Sequence, residues 1–151
     1  NSKINDVQER IFSTFASVAS SLGYNEVHGR IIAALLVDER VLSLQELSAK
    51  TGYSVSAISL SLDLLELIGI IRKVKNAGDR KLYVRLDGDM LEGLRNALIL
   101  KLQKDIAFTL IEFEKYEKDE KTRKMIFNLK REIGRLQEYV QSLAKVEVPR
   151  K

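Results

Sequence analysis

Residues 44–86 decide the fold, and they read LQELSAKTGYSVSAISLSLDLLELIGIIRKVKNAGDRKLYVRL. This pattern predicts a short helix at residues 44–51 and a tight turn at residues 52 and 53. A second helix is predicted at residues 54–68, and Gly69 is placed where helices commonly end in a left-handed residue. Two helices joined by such a turn predict a helix-turn-helix motif.

A basic hairpin is predicted directly after the second helix. Strand-like runs occupy residues 70–75 and 81–86, and the turn 76–80 joins them. Val41 and Leu42 are expected to form a short strand that pairs with this hairpin. The prediction is a mainly α fold with a small β-wing, a winged helix-turn-helix, which is built to place its second helix in a DNA major groove.

Capping and periodicity signals agree with these helices. Ser43 is expected to cap the first helix, and Glu46 three residues later completes a capping box. Ser54 is expected to cap the second helix. Apolar residues in that helix recur at spacings of three and four, which predicts one buried stripe made of Val55, Ile58, Leu62 and Leu65.

Positive charge is concentrated in the hairpin. The whole chain has a formal net charge of +4, yet residues 72–85 hold six basic residues against Asp79 alone, a net charge of +5. Such a concentration next to a helix-turn-helix predicts contact with a polyanion, namely DNA. The alternative is a solvated strand pair with a charged outer face.

Composition limits the other possibilities. The length of 151 residues fits one domain with an appended helical part, and the absence of cysteine excludes disulfides and thiolate metal sites. No apolar run approaches the roughly 20 residues that span a bilayer. The chain opens without a basic-then-apolar leader, so a cytoplasmic location is expected.

An enzyme is not expected. The chain has one histidine, His28, and it has no glycine-rich phosphate loop after a strand. The acidic residues between 112 and 120 alternate with lysines, as on a solvated helix face. We therefore predict no catalytic residues, no cofactor and no metal site, and we expect His28 to be a partly exposed structural residue.

Helices are also predicted on both sides of the winged part. An N-terminal helix ends at Gly23, and Asn25 is expected to cap the next helix. The N-terminal helix carries an apolar stripe that consists of Ile4, Val7, Ile11, Phe15, Val18 and Leu22. After the wing, Asp87 or Asp89 is expected to begin a long helix that runs to Phe113.

The charged run 114–124 is expected to be a turn between helices or an exposed helical stretch. A final helix then carries a strict seven-residue seam of the coiled-coil kind: Ile126, Leu129, Ile133, Leu136, Val140 and Leu143. Together with Ile11 and Phe15, this seam predicts a homodimer. The expected organisation is an N-terminal dimerisation helix at 1–22, a winged helix DNA-binding domain at 23–87, and a C-terminal helical dimerisation region at 88–148.

The run Gly69-Ile70-Ile71-Arg72-Lys73-Val74 and the wing tip Gly78-Asp79-Arg80-Lys81 carry a family resemblance. With a preceding helix and C-terminal helices, they resemble the MarR-type transcriptional regulators, and most closely the GbsR-like branch of archaea and bacteria. The resemblance is strongest over residues 23–86. It implies a homodimer that binds a palindromic operator, with the second helix in the major groove and a wing arginine in the minor groove.

The resemblance assigns the minor-groove role to Arg80 and the positioning of the wing to Asp79. Lys73, Lys75 and Lys81 flank the wing turn and are expected to contact phosphates. The groove helix is expected to present Ser54, Ser56, Ala57, Ser59 and Ser61. It has no Lys or Arg between residues 54 and 68, so bidentate arginine–guanine contacts are missing, and base discrimination should be low or aided by DNA shape.

The predicted function is thus a sequence-specific, double-stranded DNA-binding transcriptional regulator. The alternative is an architectural or protein-contact winged helix without operator specificity. Many MarR-type proteins also respond to small ligands, so an unidentified small-molecule effector is a further expected partner. Its pocket would be lined by the aromatic residues Phe12, Phe15, Tyr24 and Phe108, for which the alternative is an ordinary core role.

Overall fold

The structure is a computed structural model that describes residues 2–39 and 41–150. These residues form six helices and three short strands. The helices are α1 (Ser2–Ser21), α2 (Glu26–Asp38), α3 (Leu44–Thr51), α4 (Val55–Leu67), α5 (Met90–Glu114) and α6 (Glu120–Leu143). The strands are β1 (Leu42–Ser43), β2 (Ile71–Val74) and β3 (Tyr83–Leu86). The predicted mainly α fold with a small β-wing is confirmed.

The chain divides into two compact units, Asn1–Leu94 and Arg95–Lys151. The first unit holds the helix-turn-helix and the wing. Among the residues that the structure describes, no helix is both long enough and apolar enough to cross a membrane.

The three strands form one antiparallel sheet in the order β1-β3-β2. As predicted, a short strand before α3 pairs with the wing, with Leu42 opposite Val84, but it consists of Leu42 and Ser43 rather than Val41 and Leu42. Both wing strands are shorter than the predicted runs. The backbone N–H of Ile70 donates to the Leu65 carbonyl at the end of α4, and that of Lys81 donates to the Asp79 carboxylate, so neither amide is available to the sheet.

Local caps set the ends of α3 and α4. The Ser43 hydroxyl accepts from the backbone N–H of Glu46 at 3.1 Å, and the Ser43 N–H donates to the Glu46 carboxylate at 3.2 Å, which confirms the capping box. The Ser54 hydroxyl accepts from the N–H of Ala57 at 3.1 Å. Ser54 is therefore the cap of α4 and precedes its first helical residue.

The core of the first unit lies between α2, α3, α4 and the sheet. Its largest fully buried side chains include Ile31, Leu35, Leu42, Leu47, Ile58, Leu62, Leu65 and Val84. The predicted stripe of α4 is wrong at Val55, which is 37% exposed because it opens the helix, one turn before the first buried residue, Ile58.

His28 is buried, contrary to the expected partial exposure. Its Nδ1 accepts from the backbone N–H of Asn25 at 3.3 Å, so the side chain helps to close the first turn of α2. The ring of Tyr24 packs edge-on against it at 6.0 Å between ring centroids. Burial lowers the pKa of His28, which favours the neutral imidazole that this hydrogen bond requires.

Helix α1 packs on α2 through Phe12, Ala16 and Ala19, which are buried. The predicted apolar stripe lies to one side of this contact, so Ile4, Val7 and Val18 are exposed, and Ile11, Phe15 and Leu22 are half-buried. The first unit therefore leaves much of the stripe uncovered.

In the second unit, residues 115–119 connect α5 to α6, in agreement with the expected turn within the charged run. The Lys130 ammonium pairs with the Glu117 carboxylate, and the Arg95 guanidinium donates to the Val146 carbonyl. The seam of α6 is not uniformly available to a partner. Ile126 and Val140 are buried within the chain, Leu129, Ile133 and Leu143 are half-buried, and Leu136 is exposed. Ile126 and Val140 are thus covered within the chain, so less of the seam is exposed than its spacing suggests, and the dimerisation role of its residues stays a prediction.

Gly29 permits the close approach of α2 to α1. A Cβ at this position would lie 2.1 Å from the backbone oxygen of Phe15, far inside van der Waals contact. Gly29→Ala is expected to lower stability by about 1–3 kcal/mol, the typical cost of overpacking. The measurement is the midpoint of urea unfolding, followed by circular dichroism.

Gly134→Ala in α6 is the matched control, because an added Cβ meets no heavy atom within 4 Å. This change should raise stability by up to about 1 kcal/mol, the propensity difference between Gly and Ala in a helix. Equal midpoints for the two variants would contradict the close approach at Gly29.

Candidate nucleic-acid interface

The turn between α3 and α4 fixes the direction of α4 relative to α3. Gly52 adopts φ of 81°, and its N–H donates to the Ser48 carbonyl at 3.0 Å. The Ser48 hydroxyl donates to the Tyr53 carbonyl at 2.6 Å. The backbone groups left free by the end of α3 are thus satisfied locally, and the turn is held from both sides.

The outward face of α4 is uncharged over its first two turns, where exposed serines lie beside exposed Leu60. Ser54, Ser56 and Ser59 are exposed, and Ala57 is half-buried. Ser61 was predicted on this face, but it is buried and its hydroxyl donates to the Ala57 carbonyl at 2.9 Å. That prediction is wrong because residue 61 lies beside Leu62 on the inward side of the helix.

The second half of α4 carries carboxylates that bind the wing. The Lys73 ammonium on β2 forms a hydrogen bond and ion pair with Asp63, and it lies 3.9 Å from a Glu66 carboxylate oxygen. The backbone N–H of Lys73 also donates to Glu66 at 3.2 Å. The hydrogen bond with Asp63 is the main cause that raises the pKa of Lys73. The ammonium expected to contact phosphate is therefore engaged with α4.

Two further basic residues of the wing share one carboxylate. Arg72 and Arg85 are opposite each other on β2 and β3. Their guanidinium nitrogens lie 3.5 and 3.8 Å from the carboxylate oxygens of Asp87, just after β3. Half of the six basic residues in the hairpin thus have acidic partners.

The remaining three basic residues, Lys75, Arg80 and Lys81, surround the wing tip. All three are exposed, and no ion pair joins them to another residue in the described part of the chain. The positive charge of the wing that is not held in ion pairs therefore lies around its tip, where Lys81 also attracts the Asp79 carboxylate.

Asp79 organises the turn that carries these cations. Its N–H donates to the Asn76 carbonyl at 3.1 Å, and Gly78 supplies the positive φ of 79° that the turn requires. The Asp79 carboxylate accepts from the N–H of Lys81 at 2.9 Å and from the Tyr83 hydroxyl. These hydrogen bonds, the one from Lys81 foremost, lower the pKa of Asp79, and the bond to Asp79 raises the pKa of Tyr83.

The candidate interface also contains residues that the sequence patterns did not single out. Leu60 on α4 is 82% exposed. Its position outside the predicted apolar stripe was the sequence signal that could have indicated this exposure. Asp63 and Glu66 are three residues apart on one side of the helix, and nothing local indicates that they face Lys73. Tyr83 was predicted only as a strand residue, and no local pattern indicates that its hydroxyl bonds the Asp79 carboxylate.

The aromatic residues predicted to line an effector pocket have separate surroundings. Phe12 is buried between α1 and α2, Phe15 is half-buried, and Tyr24 contacts His28. Phe108 belongs to the second unit and is 70% exposed. The effector pocket stays a prediction. Within the described residues, no group of three or more His, Asp or Glu side chains is arranged to hold a metal ion.

No protein-family model matches this chain, and no curated protein matches it. Among solved structures, the chain is similar to a protein described as a transcriptional regulator, with 21% sequence identity and a TM-score of 0.62. The match covers 91% of this chain and 96% of that one. The chain therefore shares the fold of that structure. Together with the sheet and caps described above, this is the winged helix-turn-helix architecture.

Two further similar structures have lower scores. One is NadR in complex with 4-hydroxyphenylacetate, at 18% identity and a TM-score of 0.45, covering 97% of this chain and 93% of that one. The other is a mutant of S. aureus MepR bound to an oligodeoxyribonucleotide, at 16% identity and a TM-score of 0.45, covering 88% of this chain and 94% of that one.

Tyr83→Phe is expected to raise the pKa of Asp79, because it removes a hydrogen bond to the carboxylate. The pKa should stay below the ordinary value of 3.8, since the Lys81 N–H remains. The measurement is the carboxyl ¹³C chemical shift of Asp79 across a pH series. Because the folded pKa is depressed, the turn is stabilised above the ordinary pKa, and this stabilisation is lost as pH falls through the folded pKa.

Tyr53→Phe serves as the control for this titration and should leave the pKa of Asp79 unchanged. An Asp79 titration curve that is identical in the wild-type protein and in Tyr83→Phe would show that the Tyr83 hydroxyl does not bond the carboxylate.

Proposed function

We propose that this chain is a DNA-binding transcriptional regulator of the MarR type, within the GbsR-like branch, that acts as a homodimer on a palindromic operator. One observation carries the proposal. An exposed, uncharged helix face over the first turns of α4 lies in the same compact unit as a wing whose unpaired cations are gathered at its tip. A groove-entering helix and a phosphate-contacting wing would need these two surfaces.

The helix face and the wing would have different roles in a complex with DNA. Hydroxyls of Ser56 and Ser59 accept or donate hydrogen bonds, so they can meet base edges of either kind in the major groove. Lys75 and Lys81 would contact phosphates, which supply affinity independent of sequence. Arg80 would enter the minor groove, where narrow A·T-rich segments concentrate negative potential. Asp79 would aim Arg80 by holding the turn.

Lys73 has a changed role in this proposal. Its ammonium pairs with Asp63 and lies near Glu66, so a phosphate contact would require it to leave both carboxylates. We assign to Lys73 the positioning of β2 against α4, which orients the wing relative to the groove helix. The net positive charge offered to DNA is then smaller than the composition of the hairpin suggests.

A homodimer is supported by the apolar surface left open on each unit. Ile4 and Val7 on α1 are more than half exposed, and α6 presents Leu136 with half-buried Leu129 and Ile133. Such surface is typical of protein interfaces. The proposed organisation is therefore dimerisation by residues 1–22 and 88–148 around a DNA-binding domain at residues 23–87.

A second candidate function is an architectural or protein-contact winged helix. The observation in its favour is the charge of α4, which has no Lys or Arg between residues 54 and 68 and carries Asp63 and Glu66. A helix of this composition makes few strong base contacts. The two functions differ in whether one DNA sequence is preferred over others.

The dimer is tested by light scattering at low micromolar concentration, where the mass should be twice the 17.2 kDa of one chain. Leu136→Glu is expected to shift the protein towards monomer, because it places a charge in an apolar interface. Asn128→Glu, a change at another exposed position of α6 outside the seam, should leave the mass unchanged. A wild-type monomer would contradict the palindromic operator model.

DNA binding is tested with a duplex selected by the protein from a random library and with a scrambled duplex of equal composition. The protein should prefer the selected duplex. Lys75→Ala and Lys81→Ala should each flatten the slope of log affinity against log salt by about 1, since each removes a phosphate contact. Fluorescence anisotropy across a salt series measures both quantities.

Lys73→Ala is the matched control in this series, and its slope should change less than that of either other variant. Equal affinity for the two duplexes would favour the architectural function, and no binding to either would favour protein contact. Slopes unchanged in Lys75→Ala and Lys81→Ala would show that the wing tip stands off the DNA.

A further inference from the structure

Leu60 is the most exposed large apolar side chain among the described residues, at 82%. It lies in the second turn of α4, next to exposed Ser59 and one turn after exposed Ser56. The opposite side of the helix is buried through Ile58 and Leu62. Leu60 is therefore directed away from the core by the same packing that fixes the helix.

The position of Leu60 suits contact with bases. In helix-turn-helix proteins the N-terminal residues of the second helix reach base edges in the major groove. Leu60 is the sixth residue of α4, which begins at Val55. At a rise of about 1.5 Å per residue it lies within roughly 8 Å of the helix start.

The chemistry of this helix face narrows the bases that it can recognise. With no Lys or Arg on α4, the strong bidentate recognition of guanine is missing. Thymine alone places a methyl group in the major groove, and an apolar side chain is its natural partner. The exposed hydroxyls of Ser56 and Ser59, which precede Leu60 on α4, would meet the polar edges of neighbouring bases.

We propose that Leu60 is a specificity-determining residue that reads thymine by packing against its 5-methyl group, so that each half-site holds a required thymine under α4. This inference rests on the proposed function, because it needs α4 in the major groove. The contact would give sequence preference to a helix that otherwise has only hydroxyls for base recognition.

A second copy of the chain is the competing occupant of this surface. Leu67 is 72% exposed and lies seven residues later, on the same side of α4, with half-buried Leu64 between them. Leu60 has polar neighbours in Ser56, Ser59 and Asp63, whereas an interface core is usually depleted of such groups. A methyl group among polar base edges fits that mixed surface better.

The test removes only the thymine methyl groups. A duplex selected by the wild-type protein is synthesised with deoxyuridine in place of one thymidine at a time through each half-site. At one position or more in each half-site, wild-type affinity should fall about fourfold, the value of one buried methylene-sized group. Leu60→Ala should bind the thymidine duplex more weakly and should show no further loss with deoxyuridine at those positions.

Leu67→Ala is the matched control, an exposed leucine on the same helix about 10 Å further along its axis. It should keep the wild-type response to deoxyuridine. Circular dichroism melting should be unchanged in both variants, because both side chains are exposed.

Each other outcome overturns the inference. If deoxyuridine does not change the affinity of the wild-type protein, no thymine methyl group is recognised. If deoxyuridine still lowers the affinity of Leu60→Ala, the methyl contact belongs to another residue. An equal loss in Leu67→Ala shows a general effect of the helix surface, and a mass change in Leu60→Ala assigns Leu60 to a protein interface. Failure of the wild-type protein to bind any selected duplex would instead overturn the proposed function itself.

Discussion

The burial of Ile58, Leu62 and Leu65 sets the rotation of α4, and the proposed interface depends on that rotation. These three side chains are in the core with Leu47 and Val84, where packing tolerates little displacement. Once they are in place, every other residue of the helix has an assigned direction. Ser61 turns inward to its own backbone, while Ser56, Ser59 and Leu60 face outward. Shifting the stripe by one residue would rotate the helix by about 100° and change which residues face outward.

Ion pairs within the protein reduce the positive charge that the wing can offer to a partner. Its six basic residues look equivalent in sequence, yet three of them neutralise carboxylates of α4 and of the segment after β3. The pairing of Lys73 joins the wing to the helix, and the pairing of Arg72 and Arg85 with Asp87 holds the base of the hairpin. What remains unpaired is at the tip. The six basic residues thus divide into three that hold the hairpin in place and three whose charge is available to a partner.

Local signals were sufficient to predict most of the fold. The capping box at Ser43, the cap at Ser54 and the basic hairpin depend on neighbours within a few positions, and all were confirmed. The errors arose where distant packing decides. Val55 and Ser61 were misplaced because the rotation of a helix is set by what covers it. The ion pairs of Lys73 were not predicted because its partners lie on another element. For the same reason, the buried face of α1 consists of Phe12, Ala16 and Ala19 and lies beside the predicted stripe. The roles of the interface residues in DNA binding remain predictions.

The hydrogen bonds around Asp79 have a consequence for the thermodynamics of association. A long, exposed basic loop would lose conformational entropy on meeting a ligand, and that loss would oppose binding. Here the turn is already ordered in the free protein by the Lys81 N–H, the Tyr83 hydroxyl and the Asn76 carbonyl. Arg80 and its neighbours are carried on preorganised backbone, so only their side-chain rotamers remain to be fixed. A wing of this kind should associate with a smaller entropic penalty than a flexible basic segment of equal charge.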